Sequence, residues 1–458
     1  MTMLTPEGTS VAIDSGGLGG RSQSLLAGWG NMPVVHGYEI RSESLEHVTR
    51  NATLTRGLGR AYGDAALPAA GDFCITGTAL ADRVISFDSQ DGMLCAEAGL
   101  SLEHLYRLFL PRGYFTPVSP GTRYVTLGGM VASDVHGKNH HRDGTFGQHV
   151  ISMSLRVADG SLVTCSRTEN PDLFRATIGG MGLTGHILTV TVRLTKVPSP
   201  WLLQDTEPVN GIAEFIDALR RAAGTWPMTA GWIDCLSKSE AGRGVLFKGR
   251  WAEPGEGPDH FPDLARPHAV PFPMPNATLS PQIVRMFNWA YYRRGLTRKR
   301  RSIVSPGGFF YPLDVIGNWN RLYGRRGFVQ CQCVLPDDRA EAGVQRLLEV
   351  VARAGGTPYL GVIKDCGPEG IGILSFPMSG ISIALDFQMR DDIQSLVDCI
   401  NEVVIDYGGR VYLAKDALTR PEHFRAMEPR LAEFLRVRRE WDPRGRIRSA
   451  LSLRLFGW

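Results

Sequence analysis

No excess of charge, no cysteine framework and no long apolar run marks this chain, and each absence narrows what it does. Its 50 basic and 46 acidic residues leave a net charge of only +4. So even a balance gives no general attraction to nucleic acid, and a basic patch has to be local. The cysteines are Cys74, Cys95, Cys165, Cys235, Cys331, Cys333, Cys366 and Cys399, with no C-x-x-C pair among them. Scattered along a long chain, they outline no disulfide framework and favour a reducing compartment. Cys331 and Cys333 have two readings, a metal-binding pair or two small apolar residues on one strand face, and the strand reading is preferred. No stretch approaches the roughly 20 apolar residues of a membrane-crossing helix. Residues 1–20 are rich in Gly, Ser and Thr and read as a loose tail, without the basic head and apolar run of a secretory signal. We expect a cytoplasmic or peripherally membrane-associated protein, with the periplasmic face left open.

What is present belongs to a folded enzyme-sized chain. Its 458 residues are 43% hydrophobic and 21% charged, values of a globular protein with two or three domains. Short apolar stretches alternate with Gly and Asp turns between residues 55 and 195: Arg83 to Phe87, Gly92 to Ala98, Ile151 to Val157, Ser161 to Cys165 and Ile187 to Leu194. Asp159-Gly160 reads as a hairpin turn. Ser101 reads as the N-cap of a helix through Leu102, Leu105, Tyr106 and Phe109, and Asn170-Pro171-Asp172 opens another. Val197-Pro198-Ser199-Pro200 breaks this pattern. Beyond it, helices are expected over Gly211 to Ala223, Glu341 to Ala354 and Gln394 to Tyr407, and strands over Phe328 to Leu335 and Ile381 to Phe387. Pro254 to Pro281 reads as loop. The fold class is therefore α+β.

Two glycine-rich stretches stand out chemically. One is Thr55-Arg-Gly-Leu-Gly-Arg-Ala-Tyr-Gly-Asp-Ala65. The other runs from Ser119-Pro-Gly-Thr-Arg123 through Thr126-Leu-Gly-Gly129 to Ser133-Asp-Val-His-Gly-Lys-Asn-His-His141. Without a Cβ in the way, successive backbone N–H groups can crowd around an anion. Gly57, Gly59 and Gly63 do not have the G-x-G-x-x-G spacing of a Rossmann turn, and no G-K-[ST] makes a P-loop. Each loop alone could be an ordinary turn; together they favour a pyrophosphate gripped from two sides.

Those strings, with G-T-F-G-Q-H-V after them, resemble the FAD domain of the vanillyl-alcohol oxidase type. More narrowly, from about Gly28 to the C-terminus, the chain is similar to the decaprenylphosphoryl-β-D-ribose 2′-oxidase family, flavin subunits of a 2′-epimerase in cell-wall arabinan synthesis. The resemblance implies a two-part FAD-binding domain over 21–197, an antiparallel-sheet substrate domain flanked by helices over 198–408, and a return to the FAD domain over 409–458. It implies FAD contacts at Thr55, Arg56, Gly57, Leu58, Gly59, Arg60, Ala61, Tyr62, Gly63, Asp64 and Ala65. Others follow at Gly121, Thr126, Leu127, Gly128 and Gly129, at Ser133, Asp134, Val135 and His136, and at Ile187 and Tyr412. Tyr62 stands where relatives with covalent flavin carry histidine, so the FAD is expected to be non-covalent. The opening helix between Trp29 and Arg56 looks clipped.

On the substrate side, alternation in Phe328 to Leu335 puts Gln330 and Gln332 on the face opposite Val329, Cys331, Cys333 and Leu335. Neutral amides side by side suit a polyhydroxy ligand; a solvated face is the other reading. Ile381 to Phe387 likewise presents Ser382, Ala384 and Asp386. Mycobacterial members of the family carry at Ala384 a cysteine that nitroaromatic inhibitors attack, and alanine offers no nucleophile. The resemblance makes Lys415 the catalytic lysine, acting directly or by polarising Tyr62, and adds His136, Lys138, Trp232 and Lys364 to the substrate pocket. The family's pocket tyrosine is replaced by Phe310, next to Tyr311. Tyr311 to Trp319 and Pro377 to Gly380 are expected to border the cleft, and Gly409 to Lys415 to form a strand reaching the flavin.

The implied reaction is oxidation of the 2′-hydroxyl of a polyprenyl-phosphoryl ribose, with an NAD(P)H-dependent short-chain reductase completing the epimerisation. An alditol or aldonolactone oxidase of the same superfamily is the alternative, and a non-catalytic flavin-binding scaffold the alternative of another class. The basic, aromatic stretch 286–301 reads either as a solvated loop or as a contact with a membrane surface.

Overall fold

A computed structural model describes residues 24–237, 242–263, 267–297 and 300–458; the tail expected over 1–20 lies outside them. Strands Ser24–Ala27, Val34–Arg41, Cys74–Gly77 and Thr55–Arg56 form a four-stranded sheet in that order, the last three parallel. The helix between Val34–Arg41 and Thr55–Arg56 is the single turn Leu45–Val48, so the clipped segment is a feature of the fold. A second, five-stranded antiparallel sheet runs Val84–Asp88, Met93–Glu97, His186–Arg193, Val150–Arg156, Leu162–Ser166. Its last pair is the Asp159-Gly160 hairpin, where Gly160 takes φ +95°, a conformation that costs glycine little. The expected helices are Leu102–Phe109, capped by the Ser101 hydroxyl accepting from His104 N–H, and Pro171–Thr177.

The rest of the chain builds one eight-stranded sheet, ordered Arg301–Val304, Leu202–Val209, Arg243–Trp251, Met228–Asp234, Gly361–Cys366, Gly380–Gln388, Phe328–Pro336, Arg410–Val411. Every pairing in it is antiparallel. Helices Ile212–Ala223, Ala340–Arg353 and Ile393–Asp406 cover one face, burying Val329, Cys333, Leu335, Ile381, Ile383, Leu385 and Phe387 with their own apolar stripes. Period-two alternation then sends Gln330, Gln332, Ser382 and Ala384 to the opposite face, which roofs the cavity described below. Cys331 and Cys333 are free thiols packed in the core beneath those helices, as the strand reading has it.

Two expectations are corrected. The stretch from 286 is not a solvated loop: Pro281–Thr297 is a helix packed against strands Leu202–Val209 and Arg243–Trp251. Its inward positions Val284, Asn288 and Tyr292 recur every fourth residue and are buried, and regular backbone bonding there outweighs the weak pattern of its other faces. Nor is 409–415 one strand. Only Arg410–Val411 pairs with the sheet; Lys415 then sits in a turn whose Lys415 and Asp416 amides both donate to the Tyr412 carbonyl.

The C-terminal helices fasten the ends of the fold together. Arg448 grips Asp72 through two bonds of 2.8 and 2.7 Å. Arg454 grips Asp64 through two more of 2.7 and 2.8 Å and reaches Asp416 at 2.9 Å. One guanidinium thus ties the first glycine loop to the turn that carries Lys415.

Candidate active site

Between the two smaller sheets and the polar face of the large one lies a continuous cavity of about 2390 Å³. Ordinary small-molecule pockets span roughly 300–1,000 Å³, so this one has room for two ligands. At one end the glycine stretches converge. A Cβ on Gly57 would lie 2.5 Å from the Thr126 hydroxyl oxygen, so only glycine lets the two loops approach so closely. The Thr126 hydroxyl accepts from Gly129 N–H at 3.2 Å, capping the short helix Leu127–Ala132.

Thr55, Arg56, Gly57, Leu58, Gly59, Arg60, Ala61, Tyr62, Ala65, Gly121, Thr126, Gly128, Gly129, Ser133, Val135, His136, Ile187 and Tyr412 all line the cavity. The backbone N–H groups of Leu58, Gly59 and Ala61 have no acceptor among the described residues. Gly63, Asp64, Leu127 and Asp134 do not line it. Gly63 is pressed against the Asp416 backbone, and Asp64 is held by Arg454. Leu127 is core. Asp134 is buried, takes φ +40°, and its carboxylate accepts from Gly147 N–H at 2.8 Å and from the Ser375 hydroxyl. These residues shape the wall from behind.

At the other end the sheet supplies Gln330, Gln332, Lys364, Ser382 and Ala384, and the turn supplies Lys415. Gln332 donates to His136 Nε2 at 3.0 Å and lies 3.3 Å from the Ser382 hydroxyl. That bond leaves the His136 proton on Nδ1, which has no partner among the described residues; burial and Lys364 hold this imidazole neutral, well below its usual pKa. Gln330 donates to Asp386, which also accepts from Tyr323 at 3.1 Å. Burial raises the Asp386 carboxyl to about 6.

Lysine is the unusual element here. Lys138, Lys364 and Lys415 are all withdrawn from water, and none has a carboxylate within salt-bridge reach among the described residues. Burial lowers Lys415 to about 7 and Lys138 to about 8, and pulls Lys364 down as well. The Lys415 ammonium lies over the Tyr62 ring, and burial keeps the Tyr62 phenol protonated, its pKa far above the ordinary value.

Two expected pocket residues fall outside the cavity wall. Trp232 packs with Val245 and Tyr292 and meets the Tyr291 ring edge-on at 4.7 Å. Lys138 lies over Phe309. Tyr311 turns away too, its hydroxyl bound to Ser119 at 2.7 Å, and Phe310 stacks on Phe115. Leu313, Asp314 and Ile316 to Trp319 border the cavity as expected, whereas Pro377 to Gly380 do not. Glu103, His104, Thr122, Tyr124 and Met181 line it without having been singled out; as isolated residues at helix or turn positions they carry no spacing signal.

A general FAD-binding-domain family matches residues 47–166. Along nearly its whole length the chain is similar to the decaprenylphosphoryl-beta-D-ribose oxidase of Mycolicibacterium smegmatis, at 34% identity over 453 residues, 94% of this chain and 97% of that protein. The chain belongs to this oxidase family. It is an FAD-dependent oxidoreductase. An uncharacterised protein of Streptomyces coelicolor is 33% identical over 368 residues, 78% of this chain and 100% of that one. The L-gulonolactone oxidase of Mus musculus matches at 30% over 138 residues, only 30% of either chain. Likeness to lactone oxidases is thus partial, while likeness to the ribose-oxidase family runs through cradle, sheet and C-terminal turn alike. The residues present fit FAD: the unbonded amides of Leu58, Gly59 and Ala61 suit a diphosphate, and the cavity leaves space for a substrate beside it.

Proposed function

We propose that the protein oxidises the 2′-hydroxyl of a polyprenyl-phosphoryl-β-D-ribose to the 2-keto sugar. A separate NAD(P)H-dependent reductase would return that ketone as the arabinose epimer. The observation that carries this reading is Lys364, a lysine of the cavity wall withdrawn from water with no carboxylate in salt-bridge reach among the described residues. A buried unpaired charge is costly and is found where a partner arrives. A neutral alditol would leave that cost standing; a sugar bearing a phosphate removes it.

The chain's own residues have distinct tasks. Lys364 receives the anionic group of the substrate. Gln330, Gln332 and Ser382 offer amide and hydroxyl partners to the sugar hydroxyls, each able to donate and accept. The amide and hydroxyl partners orient the ring so that the carbon to be oxidised faces the cradle. Lys415, as the neutral amine, takes the hydroxyl proton. Tyr62 stays protonated and contributes its ring, whose face holds the resulting ammonium. Bound FAD supplies the hydride acceptor.

Anaerobic bleaching of the bound flavin by a synthetic prenyl-phosphoryl ribose tests this directly. Bleaching by that compound but not by free alditols, and its loss in Lys415→Ala, is the expected result. Equal bleaching by a soluble alditol would replace the reading with the sugar-oxidase alternative.

A further inference from the structure

Gln330 and Gln332 stand on one face of strand Phe328–Pro336, which pairs with strand Gly380–Gln388. A glutamine side chain carries two N–H donors and one carbonyl oxygen. Which of them is left for a ligand depends on what the protein itself has used.

In both residues the protein uses the donors. Asp386 lies directly opposite Gln330 in the register of the two strands. One oxygen of its carboxylate accepts from the Gln330 amide, and the other accepts from the Tyr323 hydroxyl at 3.1 Å. The Gln330 amide also bears on the Tyr62 phenol as a donor, since its influence favours the phenolate. The Gln332 amide nitrogen stands 3.0 Å from His136 Nε2 and 3.3 Å from the Ser382 hydroxyl oxygen. Each amide nitrogen therefore faces two protein acceptors. Neither carbonyl oxygen has a partner among the described residues, and both residues line the cavity.

The orientation of Gln330 is fixed by charge. Asp386 is fully buried and its carboxyl lies at about 6, so at neutral pH it is ionised. An ionised carboxylate has no hydrogen to give. Turning the Gln330 amide over would set its oxygen against the Asp386 oxygens.

We propose that the two glutamines read the ligand through their carbonyl oxygens alone, and that Asp386, held by Tyr323, is the positioning residue that keeps the Gln330 oxygen turned to the cavity. The face then selects groups that donate. A ribose joined to phosphate at C1 keeps two hydroxyls besides the one oxidised, one for each oxygen. A fluoro, methoxy or keto group in either place sets lone pairs against lone pairs and is refused. The match of two hydroxyls to two oxygens rests on the proposed substrate; the exhausted donors do not.

The experiment titrates the FAD-loaded protein with prenyl-phosphoryl ribose and with two analogues, each having one of those two hydroxyls replaced by fluorine. Binding is read from the shift in flavin absorbance. Each analogue should bind roughly ten- to a hundred-fold more weakly than the parent, the cost of a polar group left unpaired. Asp386→Asn gives Gln330 an N–H to face and frees it to turn, so one of the two penalties should shrink towards none while the other stays. Asp386→Glu keeps an acceptor-only group and should keep both penalties. Wild type that binds the fluoro analogues as tightly as the parent overturns the proposal. Asp386→Asn that weakens all three ligands alike, with their ratios unchanged, shows a structural role only and overturns the positioning. If that variant does not hold flavin, Tyr323→Phe loosens the same carboxylate from its other oxygen and should reduce the same penalty in part; an unchanged ratio there overturns the positioning equally. If the lipid-linked sugar itself does not bind, the substrate reading falls alone, and the same comparison between a soluble alditol and its deoxyfluoro forms decides the present inference. Binding of neither ends both.

Discussion

The ammonium nitrogen of Lys415 stands 3.5 Å from the centre of the Tyr62 ring. A ring face stabilises a cation, by about 2 kcal/mol when the pair is desolvated, and does nothing for a neutral amine. Burial works the other way and brings Lys415 to about 7. The pair is therefore poised between a free base and a held acid. Lys415→Ala should slow flavin reduction by about 10²- to 10⁴-fold, the usual range for a lost general base. Bound flavin measured beside it should not change; loss of flavin would mean that the residue supports structure instead.

The same lysine sets the pH dependence. Its folded pKa lies below the usual lysine value of about 10.4, so the protein holds fewer protons there than the unfolded chain between about 7 and that value. Stability from this group is lowest below pH 7 and rises as pH climbs through that window. The rate of flavin reduction should rise with pH up to about 7 and then level off. The Asp386 carboxylate pulls the Lys415 pKa upward, so Asp386→Asn should move the midpoint to lower pH. A midpoint that stays put, or moves up, would remove Asp386 from the proton balance.

Part of this site is legible in the residues themselves. Alternation alone puts Gln330 and Gln332 on one face of a strand and Cys331 and Cys333 on the other, whereas the two glycine loops favour a cradle only when taken together, and its FAD contacts come from the family resemblance. What alternation does not report is distance across the sheet. Trp232 lies on the cavity-side face, yet its strand is far enough along that its ring meets Tyr291 instead of the cavity. Lys415 is singled out only by the family resemblance, and a turn replaces the expected strand because the sheet ladder ends at Val411. The helix Pro281–Thr297 went unread for a physical reason: with apolar residues on several sides it lacks the one-sided stripe by which a surface helix announces itself.

Ala384 borders the cavity on the central strand Gly380–Gln388, in register with Gln332 and Val362. Among the described residues no cysteine lines the cavity. Nitroaromatic compounds, which the family resemblance implies are trapped by a thiol in mycobacterial members, should leave this protein at its unmodified mass. Ala384→Cys should gain one adduct per chain after turnover. An adduct on the wild type would show that some other nucleophile reaches the site.

The family resemblance puts Tyr62 where relatives with covalent flavin carry histidine, and the Tyr62 phenol is held protonated. Acid precipitation should therefore release all the flavin into the supernatant. Yellow colour retained in the washed pellet would mean attachment at another side chain, with His104 and His136 as the imidazoles that line the cavity.

Arg454 holds Asp64 and Asp416 together at 2.7 and 2.9 Å, and both carboxylates are buried. Removing the guanidinium leaves two like charges facing each other away from water. Breaking such a pair costs about 3–5 kcal/mol, so Arg454→Ala should lower the melting temperature clearly. Because Asp64 closes the first glycine loop and Asp416 follows Lys415, the damage should appear in function as well, as weaker FAD retention and slower flavin reduction in the fraction that still folds. Arg454→Lys keeps a charge but not the fork that reaches both acids, and should recover stability only in part. Full recovery with lysine would reduce the link to simple charge balance; no loss with alanine would separate the C-terminal helix from the cradle altogether.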